Sequence, residues 1–181
     1  SLSRFVSFRA GTVIAISDAV KNYIIENSMI ASRIPISVVY YGINHQDFKL
    51  HDFDRAKWRQ QELNCEPEDF VFGTISRLVP QKDLQTLINA FSKISKEVRC
   101  KLVIVGDGVQ RNELEKLVKS LNLESKVHFL GKRRDIPELL HAIDAFALTS
   151  KYEGLGLVLL EALASEVPII AARNSAIKEI V

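Results

Sequence analysis

Nowhere in the 181-residue sequence does an apolar run approach the roughly 18 to 20 residues that a membrane-spanning helix requires; the longest is interrupted by Glu161. A spanning helix is therefore not expected. TVIAIS, near the start, is too short for a signal-peptide core and runs straight into Asp18 and Lys21. Cysteine is scarce. Cys65 and Cys100 are far apart, with no CxxC and no histidine cluster, which argues for reduced structural thiols over a metal site or a disulfide framework. An excess of one charge is also missing: 24 Lys and Arg stand against 22 Asp and Glu. The two signs are interleaved, so no broad field favours nucleic acid or an acidic membrane surface. HExxH and a Ser/His/Asp order are absent, and GDGVQR carries two glycines without a complete dinucleotide fingerprint. His128, alternating within an apolar strand, reads as packed or surface rather than catalytic. These absences together make a cytoplasmic protein the expectation.

What is present is an alternation. From residue 70 onward, FVFGTIS, LVIVG, VHFLG, AFALTS and PIIAA read as strands, separated by amphipathic stretches. Leu84, Leu87, Ile88 and Phe91 follow helical spacing, and Leu114, Leu117, Val118 and Leu121 repeat it. Asp135 before Ile136, Pro137 and Glu138 resembles a capped helix start. Alternating strands and helices predict an α/β fold with a Rossmann-like, doubly wound parallel sheet of order 3-2-1-4-5. Residues 1–44 read as the tail of a preceding domain, with a strand in TVIAIS, a helix from about Asp18 to Asn27 and a strand in SVVYYG. Residues 45–68 read as a connector and 69–181 as the main domain.

In that order the first and fourth strands of the main domain are neighbours at the reversal of winding, where ligands bind at the strands' carboxyl ends. Two loops then face one crevice: SRLVPQK and TSKYEGLG. Arg77 offers a planar fork and Lys82 a point charge, a pair suited to a diphosphate. Gly154 and Gly156 open a helix near Leu157, whose N–H groups suit an anion. Leu157, Leu160, Leu163 and Ala164 are expected to form its buried face. Glu153 and Glu161 flank that helix start and are better placed to accept from sugar hydroxyls than to act as an acid/base pair, which needs carboxyls roughly 5 to 9.5 Å apart across a scissile bond.

EGLGLVLLE resembles the Glu, seven residues, Glu motif of the retaining glycosyltransferases of family 4, which have the two-domain GT-B fold. SRLVPQK is similar to that family's Arg-Leu loop ending in Lys, VIVGDGVQRNEL to its strand and Gly-x-Gly turn, and VHFLG to the strand before its base pocket. The match runs from about Thr12 to Val181. The resemblance implies that Arg77 and Lys82 hold the donor diphosphate and that Glu161 binds ribose hydroxyls. Glu153 would contact the transferred sugar; Arg77, Lys82 and Glu153 are the candidate catalytic residues. Backbone groups of Gly154, Leu155, Gly156 and Leu157 would complete the phosphate site, and Gly131 and Lys132 would lie near the base. The implied donor is a UDP- or GDP-sugar, with no metal or other cofactor. The acceptor would be a glycan or lipid-linked molecule, which allows peripheral association with the inner face of a membrane.

Departures from the family pattern accompany the match. Ser175 and Ala176 replace a Gly-Gly pair, Glu166 replaces a glycine before the last strand, and Asp83 stands where glycine often follows the loop lysine. The first two departures predict restricted backbone access to the phosphates. Most of the family's N-terminal domain has no counterpart, and AIKEIV stops inside what reads as a helix, so the sequence is expected to be part of a longer chain. Three readings stay open: the donor half of a glycosyltransferase, another GT-B enzyme such as a nucleotide-sugar epimerase, and a non-catalytic nucleotide-sugar-binding module.

Overall fold

The computed structural model describes residues 11–30 and 32–181; the first ten residues of the piece read as residues 1–44 lie outside that range. TVIAIS forms strand β1 (Val13–Ala15), which pairs in parallel with β2 (Ile36–Val38). Between them runs helix α1 (Asp18–Glu26). Its N-cap is Ser17, whose hydroxyl accepts from the Val20 N–H and satisfies one donor that the first turn leaves over. Two short strands bury little: Ile14, Tyr23, Ile25 and Tyr40 all remain more than half exposed.

Residues 45–68 pack onto the main sheet rather than standing off it. Helix α2 (Arg55–Leu63) buries Leu63 against the core, and Cys65 follows it there. Arg59, itself buried, reaches Asp144 at 2.6 Å, and Arg55 takes the other carboxylate oxygen at 2.6 Å. Burial pushes the Asp144 carboxyl up, but the Val71 N–H and these guanidiniums outweigh it and hold it below the usual range.

The main sheet consists of β3 (Phe70–Ile75), β4 (Cys100–Val105), β5 (Val127–Gly131), β6 (Ala145–Leu148) and β7 (Ile169–Ala171). All pairs are parallel, in the order β5-β4-β3-β6-β7, which is the doubly wound order read from the sequence. Helices α3 (Leu84–Ile94) and α4 (Arg111–Ser120) cover one face, where Leu84, Leu87, Ile88, Phe91, Leu114 and Val118 are buried with Leu102 and Ile104. Helices α5 (Ile136–Ala142) and α6 (Leu157–Ala164) cover the other, with Leu139, Leu140, Leu159 and Ala162 buried with Val71, Val103 and Val105. Alternate residues of β4 thus enter opposite layers, as the period of two requires.

Local expectations fail at three places. The buried residues around α6 are Leu155, Leu159 and Ala162, whereas Leu157 and Leu163 are 41% and 49% exposed. Almost every residue of LVLLEALA is apolar, so the pattern holds no phase information, and the left-handed Gly156 sets the phase instead. Asp135 occupies the N-cap position of α5 without capping it, because its carboxylate pairs with Arg133 at 2.5 Å. AIKEIV does not form an α-helix: Ser175–Glu179 is a short 3-10 turn.

Glu166 shows what a missing glycine does to the backbone. It sits just past α6 with φ 58°, while the Val167 N–H reaches the Ala162 carbonyl at 3.0 Å and the Glu166 N–H reaches Leu163 at 3.0 Å. That geometry is the left-handed helix ending that favours glycine. The side chain is exposed, so Glu166→Gly is expected to stabilise the fold by about 0.5–1 kcal/mol and raise Tm by roughly 1–4 °C in a thermal melt. An unchanged or lower Tm would show that the glutamate stabilises the ending in another way.

Candidate functional site

Strands β3 and β6 are direct neighbours, with Phe72 opposite Ala145, and the loops that leave their carboxyl ends are stitched together. The Lys151 N–H donates to the Gln81 carbonyl (2.8 Å), and the Gln81 amide donates to the Tyr152 carbonyl (2.8 Å). Thr149 Oγ1 lies 3.1 and 3.0 Å from the carbonyls of Lys82 and Asp83. Between the loops, Lys82 Nζ forms an ion pair with Glu153 Oε1, with side chains only 13% and 8% exposed. The switch point therefore joins the loop lysine to the first glutamate of the Glu pair. Asp83 takes the left-handed conformation (φ 49°) that glycine would adopt there.

A second anchor fixes the loop that carries Arg77. The Ser76 N–H donates to the Val105 carbonyl (2.9 Å) and the Leu78 N–H to the Asp107 carbonyl (3.0 Å), while the Gln110 N–H returns to Leu78 (3.0 Å). The turn Gly106-Asp107-Gly108 lies directly against this loop. A Cβ on Gly106 would stand 1.9 Å from the Ser76 carbonyl oxygen, and one on Gly108 would stand 2.4 Å from that of Leu78. GDG is thus a backbone-to-backbone clamp. Leu78 is fully buried between the two turns, and Arg77 beside it is exposed with no ion pair among the described residues.

After β6, Leu155 is buried and Gly156 (φ 82°) starts α6 with no side chain capping the helix. The Leu159 N–H turns to the Gly156 carbonyl at 2.9 Å, while those of Leu157 and Val158 have no partner among the described residues and are left for an outside acceptor, where the dipole favours an anion. Glu161 lies about one turn in, half-buried, its carboxylate without a hydrogen-bond partner among the described residues. Burial alone pushes its carboxyl above the ordinary glutamate value. Across β3 and β4, Gly131 accepts the Gly106 N–H at 2.7 Å, and Lys132 is exposed. The following Arg133 is tied to Glu62 and Asp135. His128 is half-buried, its ring pushed toward neutrality by burial, with Nε2 unpartnered.

A cleft of about 720 Å³ opens between α1 and these loops, lined by Ala19, Val20 and Tyr23 on one side and by Gln81, Tyr152, Glu153, Gly154 and Ser175 on the other. Sequence reasoning gave roles to Glu153 and Gly154 there, named Ser175 only as a departure from glycine, and did not reach the α1 residues. Ser175 is the most informative of these. Its hydroxyl accepts from the Glu153 N–H (2.7 Å) and donates to the Glu153 carbonyl (2.9 Å), with φ 37°. At this departure from glycine Ser175 keeps the left-handed conformation and adds a hydroxyl. Asn174 Nδ2, next to it, holds the Ser150 carbonyl at 2.9 Å.

The model of the family described as glycosyl transferases group 1 matches residues 54–181, which include every residue assigned to this site except those on α1. The chain belongs to that family. Over all 181 residues it is 34% identical to the N-acetyl-alpha-D-glucosaminyl L-malate synthase of Bacillus anthracis, covering 46% of that protein. It is 33% identical over 141 residues to an Escherichia coli UDP-Gal:alpha-D-GlcNAc-diphosphoundecaprenol alpha-1,3-galactosyltransferase, covering 36% of it. Among solved structures it is similar to Anabaena Alr3699/HepE in complex with UDP and glucose, with a TM-score of 0.90 and 32% identity. That match covers 99% of this chain and 49% of the other. The chain thus spans about half the length of the relatives it matches. Its structural neighbours are GT-B glycosyltransferases, and the five-stranded parallel sheet is the α/β fold expected. The switch-point crevice thus holds a lysine, and the helix bordering it starts with no side-chain cap, an arrangement that suits an anion.

Proposed function

We propose that this chain is the donor-binding half of a retaining glycosyltransferase of family 4, acting on a UDP- or GDP-sugar in the synthesis of a polysaccharide or envelope glycan. The observation that carries the reading is the stitched pair of loops, which brings Lys82, Glu153 and the free N-terminus of α6 to one crevice. Arg77 and Lys82 neutralise the donor diphosphate. The N–H groups from Gly154 to Leu157 complete the phosphate cradle, Glu161 accepts from the ribose hydroxyls, and Glu153 from the transferred sugar. Gly131 and Lys132 border the base. The chemistry asked of the protein is stabilisation of negative charge on a departing nucleoside diphosphate, which fixed cations and N–H groups supply without a metal.

Residues 69–181 form the donor domain, and residues 1–44 are the closing part of a preceding Rossmann-like domain, joined by residues 45–68. The two-stranded sheet with its exposed Ile14, Tyr23 and Tyr40 supports that division. The acceptor is a glycan or a lipid-linked sugar. The name of the E. coli relative supports this class, while that of the B. anthracis relative names L-malate, a small acid, as the group joined to the sugar; the UDP and glucose of the Anabaena structure support a nucleotide-sugar donor. We place the reaction in the cytoplasm, where activated sugars are made, with the full-length enzyme at the inner face of the membrane. Among the described residues no helix is long and apolar enough to cross a membrane.

Calorimetric titration of the chain with UDP and with GDP tests the reading: binding of one is expected, and binding of neither would sink it. Glu161→Gln sharpens the test because two effects oppose. The loss of a charged acceptor is expected to weaken nucleotide binding by roughly 10–100-fold. Stability should rise at pH 7, because the carboxylate pays for its burial without a partner. Its pKa is raised on folding, so its unfavourable contribution grows as pH rises from the ordinary glutamate value through the folded one. The gain in Tm should therefore be larger at pH 7 than at pH 4. An unchanged affinity with raised Tm would remove Glu161 from the site.

A further inference from the structure

The 3-10 turn Ser175–Glu179 touches the site at both ends. At its start, the Ser175 hydroxyl holds the N–H and the carbonyl of Glu153. At its end, the Glu179 carboxylate accepts from the N–H groups of Asp18 (3.0 Å) and Ala19 (2.8 Å), the first donors of α1. Ser17, one residue earlier, donates its hydroxyl to the Gly154 carbonyl at 2.5 Å. The contacts close a ring: Glu153 to Ser175, along the turn to Glu179, across to α1, through Ser17 to Gly154, and back to Glu153. Tyr40 braces it from outside, its hydroxyl 3.0 Å from Glu179 and 3.1 Å from Asp18. The pKa of that hydroxyl is pushed up to about 12, chiefly by its hydrogen bond to Glu179.

We propose that Ser175 and Glu179 are positioning residues that hold Glu153 at the transferred sugar through this ring. The inference rests on the reading of Glu153 given above. The physical need is plain: Glu153 is followed by Gly154, Leu155 and Gly156, and two glycines leave the loop free to move unless it is tied elsewhere. Its carboxylate is fixed from the β3 side by Lys82 and its backbone from the β7 side by Ser175. α1 closes the third side. This explains a serine at a left-handed position, where a glycine would be unstrained but could supply no hydroxyl.

The test is amide exchange by NMR on the 181-residue chain, with UDP and UDP-glucose titrated into the same samples. Ser175→Gly suits the backbone and removes only the hydroxyl. It is expected to speed exchange of the Glu153 amide about tenfold, as for one lost hydrogen bond. It should also lower the affinity ratio of UDP-glucose to UDP about fivefold, with UDP alone held within about twofold. Glu179→Ala should speed exchange at Asp18 and Ala19 and, through the ring, at Glu153; Glu179→Gln, which keeps one acceptor oxygen, should recover most of the protection. Normal Glu153 exchange and a normal affinity ratio in Glu179→Ala would overturn the ring, and an unchanged ratio in Ser175→Gly would overturn the role of its hydroxyl. If the unsubstituted chain bound neither ligand, the donor-site reading would fall, and with it the purpose assigned to the ring. The exchange data would still report whether its parts are coupled.

Discussion

Replacing Lys82 by alanine is expected to weaken UDP binding by roughly 10–100-fold, and in the longer enzyme to slow sugar transfer by about 10² to 10³. The lysine stands where the two switch-point loops meet, and its ammonium can bridge the Glu153 carboxylate and an incoming phosphate. On the proposed function, its loss removes a cation placed to neutralise the departing diphosphate, in a crevice where solvent screening is weak. The same substitution strands the Glu153 carboxylate, 8% exposed, without its partner. Removing one member of a buried pair costs about 3 kcal/mol or more, so Tm should fall by roughly 6–12 °C. Two effects from one change have to be separated, and the double variant Lys82→Ala with Glu153→Gln does so. A neutral amide needs no cation, so the double variant should recover much of the stability but none of the nucleotide affinity. Recovery of affinity together with stability would show that Lys82 acts on the fold alone, and the phosphate role would pass to Arg77 and the α6 N-terminus.

The layout of the site was legible because it depends on topology and charge. Strands at β-rich runs, helices at helical spacing and the doubly wound order place SRLVPQK beside TSKYEGLG, and Gln81, Thr149 and Lys82 show the loops in contact. What stayed hidden depends on hydrogen bonds between segments distant in sequence. Ser17, Ser175 and Glu179 have nothing around them in the sequence that marks them as partners of Glu153 and Gly154. Their roles come from the positions of α1 and the 174–179 turn, both set by tertiary packing. The buried face of α6 failed for the opposite reason, an excess of apolar residues that fitted more than one phase. The positions that lack an expected glycine were the most instructive. Asp83, Glu166 and Ser175 all keep a left-handed backbone, so the chain retains the glycine's conformation and bears the strain of a side chain. Of the three, Ser175 uses its side chain on the site.

Gly106 is the position where such tolerance should end. Its φ is 124°, well outside what an L side chain adopts readily, and its Cβ would lie 1.9 Å from the Ser76 carbonyl oxygen. Neither atom can step aside alone: Ser76 is held to Val105 at 2.9 Å, and the Gly106 N–H is held to Gly131 at 2.7 Å. Gly106→Ala must therefore separate the Arg77 loop from the end of β4. That loses the bonds from Ser76 and Leu78 and unpacks the fully buried Leu78. The expected cost is about 4 kcal/mol or more, at the extreme of single substitutions, and a Tm lower by roughly 8 °C or more. UDP affinity should fall with it, because Arg77 and Lys82 lie on the displaced loop. Gly131→Ala is the matching control. It too has a positive φ (67°), but nothing lies within 4 Å of its Cβ, so it should cost only the backbone term of about 1–2 kcal/mol. If denaturant unfolding gave the two variants equal losses, close approach would not be the reason for glycine at 106, and the GDG turn would be a conformational requirement rather than a clamp on the Arg77 loop.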